Sequence, residues 1–406
     1  MNDLTGVRIL LGTSGSVAVY KAAEWARELV KEEAIVTTLM TAAAQQFVTP
    51  LTFAALTGNS VYSNMFSIDP DGVMAHINLS RENDVLLVAP ATAQTISRLA
   101  TGSAEDLLSA VVLAAKIPVV ICPAMNTNMY THPATQENLH KLIGFGYRIV
   151  KPDSGSLACG ETGEGRLAGW DTVRELLLSL LTPQDLLGQK IVITAGPTQE
   201  PIDPARYITN RSSGKMGYAL ARVAQRRGAE VTLITGPVHL PPPPGITCVH
   251  ILSAEDMENA VMDVADKATV IIKAAAVADY RPAEIHQQKM KKYKEHFSLE
   301  LDKNNDILAE LGKRKKDEQV LVGFAAESQN HDQEGRRKLR EKNLDLIAVN
   351  DILGKTTGFD VDTNQVLLID REDSTSLPLM SKENTASHIL NKIVDLLNRK
   401  GMLATL

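Results

Sequence analysis

VVICPAMNTNMYTHPATQENL, residues 119–139, reads as a buried strand that breaks at Pro123 and restarts as a helix near Thr131. A short, continuous apolar run feeding a helix is the building unit of a parallel sheet covered on both faces. The same rhythm extends outward in both directions. Val7–Gly12 is a short apolar run, followed by the small-residue turn Gly12-Thr13-Ser14-Gly15-Ser16 and by a helix carrying Ala22, Ala26, Leu29 and Val30 at helical spacing. Ile35–Met40, Val85–Ala89, Pro118–Cys122 and Arg148–Val150 read as further strands, and a helix over Thr172–Leu181 closes the set. After the polar hinge Thr182-Pro183-Gln184-Asp185, GQKIVITAGPTQEP (188–201) starts the rhythm again. Strands are expected at Lys190–Ala195, Glu230–Thr235, Thr247–Leu252, Thr269–Ala274, Val320–Phe324 and Leu344–Val349. The alternation predicts two doubly wound α/β domains with parallel sheets, residues 1–185 and 186–406. GPVHLPPPPG (236–245) is a surface loop stiffened by proline, because βα units continue on both sides.

The global numbers agree with two soluble domains. A chain of 406 residues exceeds what one compact core holds. With 44% hydrophobic and 22% charged residues and a net charge of −6, nothing favours nucleic acid as a partner. No apolar run reaches the roughly 20 residues that span a membrane. MNDLTGVRILLG lacks the basic region and cleavage site of a signal peptide, and its apolar stretch runs into the first strand. The three cysteines, Cys122, Cys159 and Cys248, make no metal-spaced pair and are expected to be reduced, in the cytoplasm.

In such sheets ligands bind beyond the carboxyl ends of the strands. Gly12–Ser16 offers backbone N–H groups and hydroxyls at a helix N-terminus, which suits a phosphate or, more simply, makes a serine-capped tight turn. It lacks a GxGxxG, since Ala18 stands where the third glycine belongs. Thr41–Ala44 and APATAQTISRLATG (89–102) are the neighbouring strand-end loops. In the latter, Pro90 ends the strand, and Thr92 caps the next helix or contacts a ligand. The loop Pro123–Tyr130 holds two methionines beside two asparagines. They form a bed for a flat aromatic ligand with a polar substrate alongside, or they fill core space while Asn126 closes a turn. Cys122 and Cys248 sit in strands as small hydrophobes. Cys159 instead lies among Gly155, Gly160, Gly163 and Gly165, too flexible a stretch for a core element.

The second domain carries NRSSGKMGYALARVAQRRG (210–228). Met216 follows Gly214-Lys215 where a P-loop needs Ser or Thr, so what remains is a Ser/Gly-rich helix start. AAAVADYRP (274–282) follows a buried strand and puts Asp279 beyond its end. KMKKYK clusters Lys289, Lys291, Lys292 and Lys294, a solvated face unless a polyphosphate lies beside it. Lys338 and Lys342 stand at helical spacing, able to face one ligand together.

PAMNTNMY, with His76 in MAHINLS and Cys159 in DSGSLACGETGEGRLA, resembles the motifs of the flavin-containing cysteine decarboxylases, in the same order. RYITNRSSGKMG, AAAVADYRP and KMKK resemble the motifs of the phosphopantothenate–cysteine ligases. The full layout resembles the bacterial bifunctional phosphopantothenoylcysteine decarboxylase/phosphopantothenate–cysteine ligases of coenzyme A synthesis. The resemblance implies a flavodoxin-like decarboxylase domain with FMN, then a Rossmann-like ligase domain using CTP, with Mg2+. Its substrates are 4′-phosphopantothenate, L-cysteine and phosphopantothenoylcysteine.

The chemistry the resemblance implies is consistent with these residues. A peptide-linked cysteine does not lose CO2 readily, because the carbanion has nowhere to place its charge. Oxidising the thiol to a thioaldehyde creates the sulfur analogue of a β-keto acid, and the enethiolate left after CO2 loss is then reduced. By resemblance, Asn126 holds the substrate carboxylate, His76 serves the oxidative decarboxylation and Cys159 donates the final proton from a mobile flap. Gly12, Ser14, Gly15, Ser16, Thr41, Ala91, Thr92 and Met125 fall at cofactor positions. In the ligase, Lys289 serves formation of the acyl-cytidylate, Asn210 its turnover, and Arg206 the phosphopantothenate end. Ala274, Ala275, Asp279, Phe324, Lys338 and Lys342 fall at CTP positions, as do Asn304, Asn305, Asp306 and Ile307. Asn305 replaces the family's proline and frees that backbone, and Tyr130 replaces its tryptophan but keeps an aromatic edge. Decarboxylase trimers joined through ligase dimers are implied as well. A nicotinamide oxidoreductase is disfavoured by the missing GxGxxG. A flavin-dependent oxidoreductase, or a regulatory flavoprotein with a nucleotide-binding second domain, stands as the alternative.

Overall fold

A computed structural model describes residues 4–66, 75–158, 160–290, 298–327, 330–351 and 361–403. Two compact units result, residues 1–182 and 183–406.

In the first unit, strands β1 (Arg8–Thr13), β2 (Ile35–Met40), β3 (Val61–Tyr62), β4 (Val85–Ala91), β5 (Val119–Pro123) and β6 (Arg148–Ile149) form a parallel sheet in the order β3-β2-β1-β4-β5-β6. Successive strand residues point to opposite faces. Ile9, Leu11, Val85 and Leu87 therefore enter one core with Ala22, Ala26 and Leu29 of the Val19–Lys31 helix. Leu10, Leu86 and Val88 enter the other, beneath Ile96 and Leu108. Burial on both faces is why these strands read as unbroken apolar runs. Two expectations change. Pro90 does not end its strand: β4 continues to Ala91 with a register shift after Val88, pairing Ala91 with Pro123. The single helix expected near Thr131 is two, Thr127–Thr131 and Pro133–Gly144, because Pro133 cannot continue a helix but can start one. An antiparallel hairpin follows, β7 (Asp153–Ser156) with β8 (Thr162–Arg166).

The second unit repeats the plan. Strands β9 (Lys190–Ala195), β12 (Glu230–Thr235), β13 (Thr247–His250), β14 (Val270–Lys273), β17 (Val320–Glu327) and β18 (Leu346–Asp351) run parallel in the order β13-β12-β9-β14-β17-β18. Read by order of appearance, both parallel sheets run 3-2-1-4-5-6, reversing at β1/β4 and at β9/β14, where doubly wound folds bind ligands. The sheet is not wholly parallel as expected. β20 (Val366–Asp370) and β21 (Ser374–Ser376) extend it antiparallel, joined by a tight turn in which Asp370 accepts from the N–H groups of Glu372 and Asp373. Hairpins of β10 (Gln199–Asp203) with β11 (Arg206–Thr209), and of β15 (Tyr280–Pro282) with β16 (Leu301–Lys303), project beside the sheet, and the two-residue strands β19 (Thr363–Asn364) and β22 (Met380–Ser381) pair near its end. Among the described residues, no helix is long and apolar enough to cross a membrane.

Candidate active sites

The first site forms where β5 ends. Asn126 caps the Thr127–Thr131 helix, its Oδ1 accepting from the Asn128 N–H at 2.8 Å. Its Nδ2 donates to Glu161 Oε2 at 2.5 Å, reaching across to the hairpin. The hairpin is docked there by backbone, since the Met125 N–H donates to the Gly165 carbonyl at 2.9 Å. Gly165 has φ +135°, and a Cβ on it would stand 2.3 Å from the Met125 carbonyl oxygen. The glycines read as flexible in sequence thus permit close docking, at least at this position.

Between hairpin and sheet lies a cleft of about 570 Å³. Ser16, Val17, Tyr20 and Lys21 line it from the first helix and its approach, Met125 and Asn126 from the loop that follows β5, and Leu157 and Arg166 from the hairpin. Burial lowers the pKa of Lys21, and the neighbouring Arg166 cation lowers it further. A bound phosphate would relieve that repulsion. Sequence reading missed both residues as site candidates: Lys21 belongs to no motif, Arg166 stands unremarked within DSGSLACGETGEGRLA, and the two meet only through the fold.

Other expected residues stand behind the cleft rather than on its wall. Gly12 lets Leu108 approach, since a Cβ would come within 2.5 Å of Leu108 Cδ1, and Gly15 abuts Ala43 in the same way. The buried Ser14 hydroxyl donates to the Pro90 carbonyl at 2.7 Å and accepts from the Thr92 N–H at 3.1 Å. Thr92 caps the Ala93–Thr101 helix, Ala91 is core, and Thr41 accepts from the Ala44 N–H. His76 begins the Ala75–Arg81 helix, half-buried, and does not line the cleft. Cys159 lies outside the described residues, as do Lys291, Lys292 and Lys294. Cys122 is fully buried, which raises its pKa and leaves an inert thiol.

The second site is a cavity of about 400 Å³ beyond the ends of β14, β17 and β18. It gathers Asn210, Ala274, Ala275, Asp279, Phe324, Lys338 and Lys342, dispersed in sequence. The alanine run is held by hydroxyls from the β9 side: Thr194 Oγ1 accepts from the Ala275 N–H at 3.1 Å and Thr198 Oγ1 from the Ala278 N–H at 3.0 Å. Asn210 Nδ2 donates to the Ala276 and Val277 carbonyls, at 3.3 and 3.0 Å. Gly214, with φ +75°, caps the Lys215–Arg226 helix from the left-handed region, a conformation that glycine adopts without strain. Lys342 pairs with Asp306 at 2.7 Å, and Asp306 also caps the Ile307–Arg314 helix. These contacts hold the Asp306 carboxyl below its usual range, against the desolvation that would raise it.

The remaining expected residues do not line this cavity. Asn304 Nδ2 donates to the Ala278 carbonyl at 2.9 Å while its Oδ1 accepts from Arg281 at 2.9 Å. Asn305, free of the proline constraint, donates to Glu258 at 3.0 Å, and Ile307 is core. Arg206 grips the buried Asp203 carboxylate through Nε at 3.0 Å and through Nη2. The same carboxylate accepts from the Met290 N–H at 3.1 Å, which anchors the segment carrying the exposed Lys289. Arg206 first of all holds Asp203 well below the usual carboxylate range. Sequence reading missed Lys215, Asn350, Asn364 and Lys382 on the cavity wall.

Comparison with known proteins agrees with this division. Residues 1–182 match the family model described as Flavoprotein, and residues 186–397 that of the DNA/pantothenate metabolism flavoprotein C-terminal domain. The coenzyme A biosynthesis bifunctional protein CoaBC of Vibrio cholerae is 44% identical over 395 residues, covering 97% of this chain and 99% of its own. Its counterparts in Bacillus subtilis and Escherichia coli are 45% and 43% identical over 403 residues, each covering 98% of this chain and 99% of their own. Two doubly wound units, one a flavoprotein domain and one a pantothenate-metabolism domain, define a bifunctional flavoprotein. The chain belongs to the CoaBC family of coenzyme A biosynthesis bifunctional proteins. It is a bifunctional enzyme, combining phosphopantothenoylcysteine decarboxylase and phosphopantothenate–cysteine ligase activities.

Proposed function

We propose that residues 1–185 form an FMN-dependent decarboxylase and residues 186–406 a CTP-dependent ligase, whose product, phosphopantothenoylcysteine, the decarboxylase consumes to give 4′-phosphopantetheine. The observation carrying this reading is the convergence of Asn210, Asp279, Phe324, Lys338 and Lys342 on one cavity. Two lysines beside a strand-end alanine run suit a triphosphate lying against the carboxylate of 4′-phosphopantothenate. Attack of that carboxylate on the α-phosphorus forms an acyl-cytidylate and expels pyrophosphate, and the amine of L-cysteine then displaces CMP. Lys338 and Lys342 neutralise the triphosphate, and Lys289 supports acyl-cytidylate formation from the segment that Asp203 and Arg206 anchor. Asn210 serves turnover of the intermediate. Asn304, Asn305, Asp306 and Ile307 form the CTP-binding loop, in which Asp306 pairs with Lys342 and Asn304 holds the Ala278 carbonyl. Mg2+ enters with the triphosphate, a mode that needs few protein ligands.

The first cleft fits a flavin mononucleotide in size and chemistry. Met125, Val17 and Leu157 give it an apolar bed, and Ser16, Lys21 and Arg166 supply polar and positive groups for a phosphate. FMN, when bound, supplies the two-electron redox capacity that oxidises the cysteinyl thiol and later returns the electrons. Asn126 holds the substrate carboxylate, His76 serves the oxidative decarboxylation, and Cys159 donates the last proton. Gly12, Ser14, Gly15, Thr41, Ala91 and Thr92 shape the loops behind the cofactor. The family resemblance further implies a homo-oligomer of decarboxylase trimers joined through ligase dimers. The cytoplasm is the compartment, with its thiols reduced. A coupled assay with 4′-phosphopantothenate, L-cysteine and CTP, following pyrophosphate and CO2, tests the whole reading. CO2 and pyrophosphate in equal amounts are expected. Turnover with ATP but not CTP would refute the nucleotide, and pyrophosphate release without CO2 would refute the coupling.

A further inference from the structure

Asn126, the residue assigned to the substrate carboxylate, already holds a carboxylate in this structure. Glu161 Oε2 accepts from Asn126 Nδ2 at 2.5 Å, and the two residues are 35 positions apart in sequence. Glu161 stands at the start of the returning arm of the hairpin, where its carbonyl accepts from the Leu157 N–H at 2.8 Å. Leu157 itself lines the cleft, as does Asn126. The contact therefore ties the tip of the hairpin to the substrate-binding amide. The base of the hairpin is tied separately, by the Met125–Gly165 backbone bond.

From this geometry we infer that Glu161 is a specificity-determining residue: an internal carboxylate that competes with the substrate carboxylate for the Asn126 amide. The inference rests on the assignment of Asn126 made above. Two carboxylates on one amide repel each other, so a substrate carboxylate seats only by displacing Glu161. After CO2 is lost, the product has no carboxylate to keep Glu161 away, and Glu161 returns to the amide. Glu161 thereby weakens substrate binding but not product binding. The cost falls only on ligands that need the Asn126 amide, because a competitor shifts binding by its differential interaction alone. A charge-assisted hydrogen bond at a partly exposed position is worth about one factor of ten in affinity.

The test uses the full-length, flavin-loaded protein and equilibrium calorimetry with two ligands. Phosphopantothenoylserine keeps the carboxylate but has no thiol to oxidise, and 4′-phosphopantetheine lacks the carboxylate. Glu161→Ala is expected to bind phosphopantothenoylserine about tenfold more tightly, with the dissociation constant for 4′-phosphopantetheine unchanged. Glu161→Gln, which keeps the shape and loses the charge, is expected to tighten the same ligand about threefold, and it decides the matter should the alanine variant fold poorly. Parallel changes for both ligands, or no tightening of phosphopantothenoylserine, overturn the inference and leave Glu161 a structural tie. Asn126→Ala separates the two layers of argument. If it weakens only the carboxylate ligand while the Glu161 variants tighten nothing, the competition falls and the Asn126 assignment stands. If it changes neither ligand, both fall.

Discussion

Lys273 ends β14, one residue before the alanine run of the second site, yet it is only 7% exposed. Its Nζ meets Met257 Sδ at 3.6 Å, and a thioether is a weak acceptor for an ammonium. Burial pushes its pKa down from 10.5 to about 7; Asp306 and Glu258 pull it back up and Lys342 pushes it further down. A base whose folded pKa lies below its unfolded one penalises folding wherever the unfolded chain holds the extra proton. The penalty is absent above pH 10.5, grows as the pH falls towards 7, and is fully present below that. Its ceiling is about 5 kcal/mol, from about 1.4 kcal/mol per tenfold change in proton affinity. Relaxation and water entry reduce this, leaving about 2–3 kcal/mol as the working magnitude. Lys273→Met keeps an unbranched side chain, one atom shorter, and removes the charge. It is expected to raise the unfolding temperature of the second unit by about 5–10 °C at pH 6–7. The gain should shrink steadily towards pH 10. Scanning calorimetry of the full chain across that range, variant against wild type, provides the comparison. The new methyl and sulfur contacts add an offset that does not vary with pH, so the slope is the diagnostic. A gain of equal size at pH 6 and pH 10, or none at either, would refute the reasoning.

Three further outcomes are expected. Asn126→Asp should retain flavin absorbance and ligase turnover but release CO2 at least about a hundredfold more slowly, because the new carboxylate repels both the substrate and Glu161; normal CO2 release removes Asn126 from the chemistry. Cys159→Ser should still release CO2 but stall before 4′-phosphopantetheine thiol, since a hydroxyl is far less acidic than a thiol of pKa about 8.5; full turnover, read by thiol titration, assigns the proton to another group. Lys289→Gln should cut pyrophosphate release about 10²–10³-fold, whereas Asn210→Asp should still release pyrophosphate and accumulate acyl-cytidylate. Equal loss of both steps in both variants, with lowered melting temperature, would make the two residues structural.

What the sequence discloses depends on how each element is held. β2, β9 and β12 occupy the very residues expected from their runs, because strands largely buried on both faces keep to apolar and threonine side chains between their ends. The hairpins escaped notice for the opposite reason. DSGS, TGEGR, QEPID and LDK hold few apolar residues, and these strands are stabilised by pairing with each other and by docking onto loops. Side-chain commitments were equally hidden. Asn304 reads as a nucleotide contact from its motif; that its amide also joins Ala278 to Arg281 comes about through chain reversals that no local pattern encodes. Lys382 opens the last helix, in a stretch without any motif, and only the fold brings it to the cavity wall.

The two switch points share a physical problem, and they share its solution. Where strand order reverses, the loops leaving two adjacent strands diverge, and their backbone N–H groups lose the ladder that satisfied them. In the first unit Ser14, just past β1, bridges to the end of β4 by donating to the Pro90 carbonyl and accepting from the N–H of Thr92, the residue that follows the strand. In the second, Thr194 in β9 and Thr198 beyond it accept from the Ala275 and Ala278 N–H groups after β14. All three hydroxyls are almost wholly buried, at 1%, 0% and 0% exposure, where an orphaned polar group costs about 1–3 kcal/mol. A hydroxyl is the smallest side-chain group that can satisfy a loop N–H without filling the space a ligand needs. That requirement accounts for small hydroxyl residues at both reversals. It also accounts for the Ser14 hydroxyl, which bonds the backbone of Pro90 and Thr92 behind the cleft: the loops around a site have to be held before they can hold anything else.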